Sequence, residues 1–445
     1  MSLFLTKMKA AIYRRPLFQR AFYPALVWRH LRRWAKAGPR VKGDGINIVV
    51  LNHAWDQDID AMCRGGDGHE SIWELNAGSV FRIVHTIVPK EISDLNIPNE
   101  DPRIAPHIAR FTDKFIRPLA DFLIESTRID VFVVPGDVFF WVRPLIGVLK
   151  ERGIPTIVQD KEGTISPSPI MDEHAAFIST RYPRIAERYY YWSRAHREFG
   201  LKLGVKPEAA FISGQPRSDF FFHPNRWIPR AALGIPDKAK FILFYTYASD
   251  TYLSNNTDPD EKMLETWLPL RRATMDVLRD VVTADPSTYL VIKAHPQQAD
   301  LWRAVDEWKE RGIPRSEFAT GAHSSNALAA QADIIIGFQT TAMIEAMTMA
   351  KPVIYTGWGD DHKKESDNLI PIHKSGGCDL PTSAEDFRRV LTSYLSGATP
   401  PAEQLAHRKT FVDGYFDSAD GTVSRRFLDE LGALVTSRKG AATPC

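Results

Sequence analysis

Residues 289–298 read YLVIKAHPQQ, an apolar run that closes on Lys293, Ala294, His295 and a proline. A strand has to stop somewhere, and proline is a common stop. The carboxyl end of a parallel strand is also where α/β proteins place their chemistry. Lys293 and His295 are two apart and share one face of an extended strand. A cation and an imidazole N–H presented together can meet an anion near neutral pH. ADIIIGFQTTAMIEAMTMAKPVIY (332–355) offers a second such place. There a buried strand ends at Gly337–Phe338, and Gln339, Thr340 and Thr341 stand where a helix begins. Exposed N–H groups and the positive end of a helix suit a phosphate, although a threonine at that position also caps the helix. Glu345, one turn further in, is placed to reach a ribose hydroxyl.

The first half of the chain supplies acids and another imidazole. Asp160 and Glu162 follow the strand-like TIVQ (156–159), beside Gly163, which lets a backbone approach a ligand closely. NHAWDQDID (52–60) places His53, Asp56, Asp58 and Asp60 directly after the first strand of the chain. Asp137 in VVPGDVFF reads as a helix cap. DQDID lacks the turn glycine and closing glutamate of a calcium loop. His323, His362 and His373 have no ligand spacing, so no metal site and no cofactor is expected.

These residues need a scaffold that ends several strands at one edge, and the pattern provides it. Short apolar runs at 46–53, 80–84, 130–134, 156–159, 189–192 and 210–213 alternate with helix-length segments such as 103–127, 139–152 and 194–203. GQPRSDFFFHPNRWIPR (214–230) has no clean period and reads as a crossover. The pattern then restarts, with strands at 241–247, 289–293, 333–338 and 352–355 and helices at 262–282, 299–311, 324–331 and 341–350. Alternating strands and helices predict parallel sheets wound on both faces. The fold class expected is α/β: two Rossmann-like domains with a cleft between them, and a helical tail from about 400.

At 445 residues the chain exceeds one ordinary core. No apolar run approaches the ~18 residues of a membrane span, and no signal peptide is evident. Cys63, Cys378 and Cys445 are too scattered for a disulfide framework, which fits a reducing cytoplasm. The net charge of +2 hides an asymmetry: residues 1–43 carry eleven Lys or Arg and no acid, leaving the remainder net acidic. Phe4, Phe18, Phe22, Trp28 and Trp34 are interleaved with those cations, as in an amphipathic helix lying on an anionic membrane. The alternative is a helical appendage packed on the body. Nucleic acid is not expected as a partner, because the acidic remainder would repel phosphate.

VIKAHPQ (291–297), followed by ADIIIGFQTTAMIEAMTMAKPVI, resembles the C-terminal nucleotide-binding domain of two-Rossmann (GT-B) glycosyltransferases. The nearest likeness is to bacterial surface-carbohydrate enzymes: capsule Kdo transferases, sialyltransferases and CDP-glycerol glycerophosphotransferases. FISGQPRSD (211–219) resembles their Gly-Asn-Pro-Arg-x-Asp junction, with Gln215 in the Asn place. KEGTISPS (161–168) resembles their acidic-Gly motif, with Lys161 in the first acidic place, and DGTVSRRFLDEL resembles their last helix. The likeness spans roughly 130–435.

The resemblance implies that His295 contacts the donor phosphate and that Lys293, Gln339, Thr340, Thr341, Glu345, Gly214 and Arg217 line the substrate. Direct displacement needs a base to take the acceptor's proton. Glu162, at the second acid of the motif, is the first candidate, with Asp160, His53 and Asp56 as alternatives. The function so implied is inverting, metal-independent transfer from a nucleotide-activated sugar, a CMP-sugar before others, to a bacterial surface polysaccharide or lipid-linked glycan. The domains expected are a basic helical segment (1–43), an acceptor domain (44–230), a nucleotide-sugar domain (231–400) and C-terminal helices (401–445) packing back on the first. Residues 1–43 would hold the enzyme on the inner face of the cytoplasmic membrane. Two other readings fit the same architecture: a UDP-N-acetylglucosamine 2-epimerase-like enzyme, and a membrane-docked scaffold that has lost its base.

Overall fold

The computed structural model describes residues 31–33, 45–53, 55–93, 98–162, 169–251, 265–295, 298–321 and 324–441. The chain divides into two compact units. Unit 1 comprises Met1–Gly163, Asp172–Asp219 and Thr422–Cys445; unit 2 comprises Thr164–Met171 and Phe220–Gly421.

Unit 1 is built on seven strands: β1 (Leu31–Arg33), β2 (Ile46–Asn52), β3 (Glu70–Asn76), β4 (Val131–Val134), β5 (Thr156–Gln159), β6 (Arg188–Tyr191) and β7 (Ala210–Ile212). Their order is β1-β3-β2-β4-β5-β6-β7, parallel throughout except for β1, which runs antiparallel on β3. β2 is buried at every position, as a central parallel strand covered on both faces must be. Its alternate side chains serve two cores. Val49 and Leu51 join one with Phe111, Phe115 and Leu149. Ile46, Ile48 and Val50 join another with Ile59, Met62 and, from the last helix, Phe427, Leu428 and Leu431. That helix, Val423–Ala441, lies close to the helix Asp56–Gly65: a Cβ at Gly65 would stand 2.6 Å from the Ser424 Cβ.

Unit 2 has five parallel strands, β8 (Lys240–Tyr245), β9 (Thr288–Lys293), β10 (Ser316–Ala319), β11 (Ile334–Gly337) and β12 (Val353–Tyr355), ordered β10-β9-β8-β11-β12. The inner strands are again continuously apolar, from Phe241 to Phe244, Leu290 to Ile292 and Ile334 to Ile336. Among the parallel strands the order turns back once in each sheet: in unit 1 between β2 and β4, in unit 2 between β8 and β11. The α/β two-domain fold class read from the sequence is therefore the one observed.

Several elements differ from the sequence reading. Residues 80–84, expected as a strand, lie in the helix Ala77–Ile87. Val80, Ile83 and Val84 bury one side of that helix while Phe81 stays exposed, the helical period rather than the alternating one. The strand is instead the preceding ESIWELN, β3, whose Glu70 and Glu74 are buried and met by Arg425 and Asn52. β10 and the helix Pro169–Arg181 were not anticipated. Leu31–Arg33, expected within a helix, is a strand; the rest of 1–43 lies outside the described residues. Of the tail expected to pack back on the first domain, the helix Ala402–Phe416 belongs to unit 2, and only Thr422 onward joins unit 1. No helix among the described residues is long and apolar enough to cross a membrane.

Candidate functional site

The residues singled out for chemistry follow the carboxyl ends of parallel strands, in the turn or in the helix after it: His53 and Asp56 after β2, Asp160 and Glu162 after β5, Gly214 and Arg217 after β7, His295 after β9 with Lys293 closing it, and Gln339 to Glu345 after β11. The two units are described in turn.

In unit 1 the aspartates that follow β2 are spent on the fold. Asn52 Nδ2 donates to Asp56 at 2.8 Å and to Glu74 at 2.9 Å, while its Oδ1 accepts the backbone N–H of Trp55 at 3.0 Å. Asp60 pairs with Arg64 one turn on. Asp58, fully buried, receives the Arg217 guanidinium at 3.0 Å and the Arg217 backbone N–H at 3.2 Å. The same guanidinium donates to the Lys161 carbonyl at 3.2 Å and lies over the Trp192 ring, 4.7 Å from its centroid. Arg217, expected to line the substrate, thus ties the loops after β5 and β7 to the helix after β2. Gly214 sits at φ +81, a left-handed conformation that favours glycine. Asp219 of the same GQPRSD element caps the last helix, accepting from Val423 N at 3.0 Å and Ser424 N at 2.8 Å. An anion there meets the positive end of the helix.

Asp137 is not a helix cap. It is buried, ion-paired with Arg184 at 2.7 Å, and accepts from the Tyr189 hydroxyl and the backbone N–H of Ile185. Asp160 stands 3.5 Å from His196 Nε2. Two of the candidates meet through Lys161. Its ammonium donates to the His53 carbonyl at 3.4 Å and sits 3.5 Å from the Glu162 carboxylate. Glu162 is 75% exposed, so its carboxylate stays open to solvent beyond Lys161. Burial, reinforced by the Lys161 charge and opposed by Glu162, lowers the His53 pKa, leaving its imidazole neutral at pH 7. His53 is walled by Phe139 and Trp141, with ring centroids at 5.2 and 5.6 Å.

In unit 2 the loop after β9 is pinned from below. Buried Arg271 binds Asp300 at 2.7 Å, Glu307 at 3.1 Å and the Tyr247 carbonyl at 2.8 Å, and Gln298 Nε2 donates to Asp300. This anchors the segment carrying His295, which is exposed. Lys293 is buried, 5% exposed. Burial lowers its pKa, and no ion pair or side-chain hydrogen bond joins its ammonium to any described residue. The QTT turn divides its labour. Gln339, expected as a substrate contact, has its amide committed: Nε2 donates to the Tyr355 hydroxyl and the Ile370 carbonyl, and Oε1 accepts Ile370 N at 2.7 Å. Thr340 caps the short helix Thr341–Ala346 through Ala342 N. Thr341 is partly exposed and Glu345 is buried.

His362 and His373 pack around Tyr355. The Tyr355 hydroxyl lies 3.1 Å from His362 Nε2, and the two imidazole centroids are 5.0 Å apart. Burial, with His373 beside it, takes His362 down to about 4. Among the described residues no group of three or more His, Cys, Asp or Glu is placed to hold a metal ion. Sequence reasoning missed the aromatic wall at His53 and the bridging role of Lys161. The wall's signal was present as VFFW (138–141), three residues past the end of a strand.

No protein-family model matches the chain, and no curated protein matches it. Solved structures do. A UDP-N-acetylglucosamine 2-epimerase superposes over 90% of this chain and 98% of its own, at 14% identity and a TM-score of 0.52. A putative enzyme of the same description from Listeria monocytogenes covers 88% and 97% at 12% identity, with a TM-score of 0.54. The UDP-GlcNAc 2-epimerase of Methanocaldococcus jannaschii covers 87% and 99% at 12% identity, with a TM-score of 0.50. At these identities the likeness is one of fold: the chain has the two-Rossmann architecture over nearly its whole length.

Proposed function

We propose that this protein is a nucleotide-sugar enzyme, and that its reaction is inverting glycosyl transfer. The observation that carries the reading is the edge of β9. Lys293 holds a buried ammonium with no anion among the described residues, two positions before an exposed imidazole. A buried cation is costly unless it is paired, and a nucleotide phosphate is the partner this edge suits. In the reaction, the acceptor oxygen attacks the anomeric carbon as the bond from that carbon to the phosphate oxygen breaks. Glu162 takes the acceptor's proton, and His295 and Lys293 stabilise the leaving phosphate. Residues 1–43, by their cations and aromatics, attach the enzyme to an anionic membrane.

The fold likeness favours a second reading, epimerisation at C2 of UDP-N-acetylglucosamine. One experiment separates the two. A thermal-shift panel of CMP, CDP, UDP, GDP and dTDP identifies the nucleotide; a ligand at 100 times its Kd stabilises by ~2.7 kcal/mol. The matching sugar nucleotide is then incubated in D₂O and followed by NMR. Deuterium entering at C2 without an acceptor establishes the epimerase. Retention of the C2 proton, with transfer only on adding an acceptor, establishes the transferase. Glu162→Gln should then cut turnover by roughly 10²–10⁴-fold with nucleotide affinity unchanged. Binding of no nucleotide overturns both readings.

A further inference from the structure

The sheet of unit 1 reverses its order between β2 and β4, and ligands of open α/β sheets bind beyond the strand ends at that reversal. The loops leaving those two strands carry His53 and the run Phe139 to Trp141. Phe139 and Trp141 stack on each other at 5.8 Å, and both meet the His53 ring in T-shaped pairs. Phe81, from the helix after β3, closes the group against Trp141 at 5.9 Å. Phe81 is 42% exposed, Phe139 and His53 are partly exposed, and Trp141 is buried beneath them. Neither ring nitrogen of His53 has a hydrogen-bond partner among the described residues, while Lys161 and Glu162 flank it. Exposed ring faces beside a half-buried, unengaged imidazole form a surface that is apolar in patches and hydrogen-bonding at its centre.

The geometry points to a pyranose subsite at this reversal, with a sugar ring lying against Phe81 and Phe139 and one of its hydroxyls held by His53. A pyranose is the ligand with matching chemistry: a C–H face that prefers aromatic rings, and equatorial hydroxyls that need directed partners. A phosphate would be served poorly, because the Lys161 ammonium, the cation beside His53, is already met by the Glu162 carboxylate and the His53 carbonyl. A lipid would leave the imidazole nitrogens unmatched. This deepens the reading above by naming the class of group that unit 1 handles, and its test does not depend on unit 2.

The full-length protein is applied without nucleotide to an array of neutral oligosaccharides, and hits are confirmed as soluble methyl glycosides by saturation-transfer NMR. Wild type is expected to bind a subset. Phe139→Ala and Phe81→Ala each lower that binding by about tenfold or more, ~1.4 kcal/mol, with UDP or CMP affinity unchanged. His53→Ala lowers binding most for glycosides whose ring hydroxyls are free, and least for O-methylated analogues. Phe81, being exposed, can be replaced without disturbing the core, so its variant remains informative if Phe139→Ala unfolds. A second arm measures sugar nucleotides against bare nucleotides. If only the sugar nucleotide, and not the neutral glycoside, is sensitive to Phe81→Ala, the ring belongs to the donor. If no pyranose in either arm is bound, or if all three variants bind as wild type does, the subsite is refuted. Nucleotide binding that fails while glycan binding survives removes the proposed function and leaves this subsite standing.

Discussion

The carboxyl edges of the two sheets are built from similar residues and treat charge in opposite ways. In unit 1 the aspartates are answered from within: Asp58 by Arg217, Asp60 by Arg64 and Asp137 by Arg184. In unit 2 the charge at the edge of β9 is positive, and no described residue answers it. An internally paired edge is rigid and positions what remains exposed, here His53 and Glu162. An unpaired buried cation is a cost that a bound anion removes. Charge that is satisfied marks scaffold; on the function proposed above, charge left unsatisfied marks the ligand.

That contrast can be broken most forcefully at Arg217. Arg217→Ala takes the guanidinium away from the fully buried Asp58, and removing one partner of a buried pair costs about 3–5 kcal/mol. Urea unfolding should register that loss. An Arg217 variant that keeps its stability but loses nucleotide affinity would restore this residue to the substrate and blur the division. The second effect concerns pH. His362 is held at about 4, against 6.5 when unfolded. Between those values the unfolded chain binds more protons, so stability is full above about 6.5 and falls as pH drops toward 4. The loss amounts to roughly 2–3 kcal/mol. Comparing wild type with His362→Gln at pH 7 and pH 4.5 isolates it, because the carboxylates titrate alike in both; equal losses would refute the assignment.

Lys293→Met tests the other side of the comparison. Nucleotide affinity should fall by roughly 10–100-fold, about 1.4–2.8 kcal/mol, while the melting temperature holds or rises as an unpaired charge leaves the interior. A sharp drop in melting temperature would mean that Lys293 has a structural partner after all. The smallest change is at Asp219, whose removal as a cap costs about 0.5–2 kcal/mol. Asp219→Asn should recover most of it, because the amide oxygen still accepts from Val423 and Ser424.

The inner strands of both sheets were legible because a strand covered on both faces is apolar through its middle, as IVVL (48–51) and III (334–336) are. β3 was not. Its Glu70 is paid for by Arg425, 355 positions away, and no local pattern announces such a partner. The chemistry-bearing positions were legible for the same reason as the inner strands, since the end of each apolar run marks the sheet edge. Their allegiance was not: Arg217 and Asp58 are 159 residues apart, and only the folded chain shows that they are bound to each other. Gln339 stood beside the threonines in sequence, and its commitment to Ile370 depends on how the chain returns after β12.

The last helix also has a consequence for synthesis. Unit 1 is left at Asp219 and resumed at Thr422. Its apolar residues Ile46, Ile48 and Val50 await Phe427, Leu428 and Leu431. With all of 220–421 to be made first, at ~5–20 residues per second, the ribosome leaves that surface bare for roughly 10–40 s. During that interval unit 2 can complete its own sheet, while the half-made unit 1 presents an oily face to water and to chaperones. A nonsense codon near 420 would therefore damage unit 1, made earlier, and spare unit 2, made just before the stop.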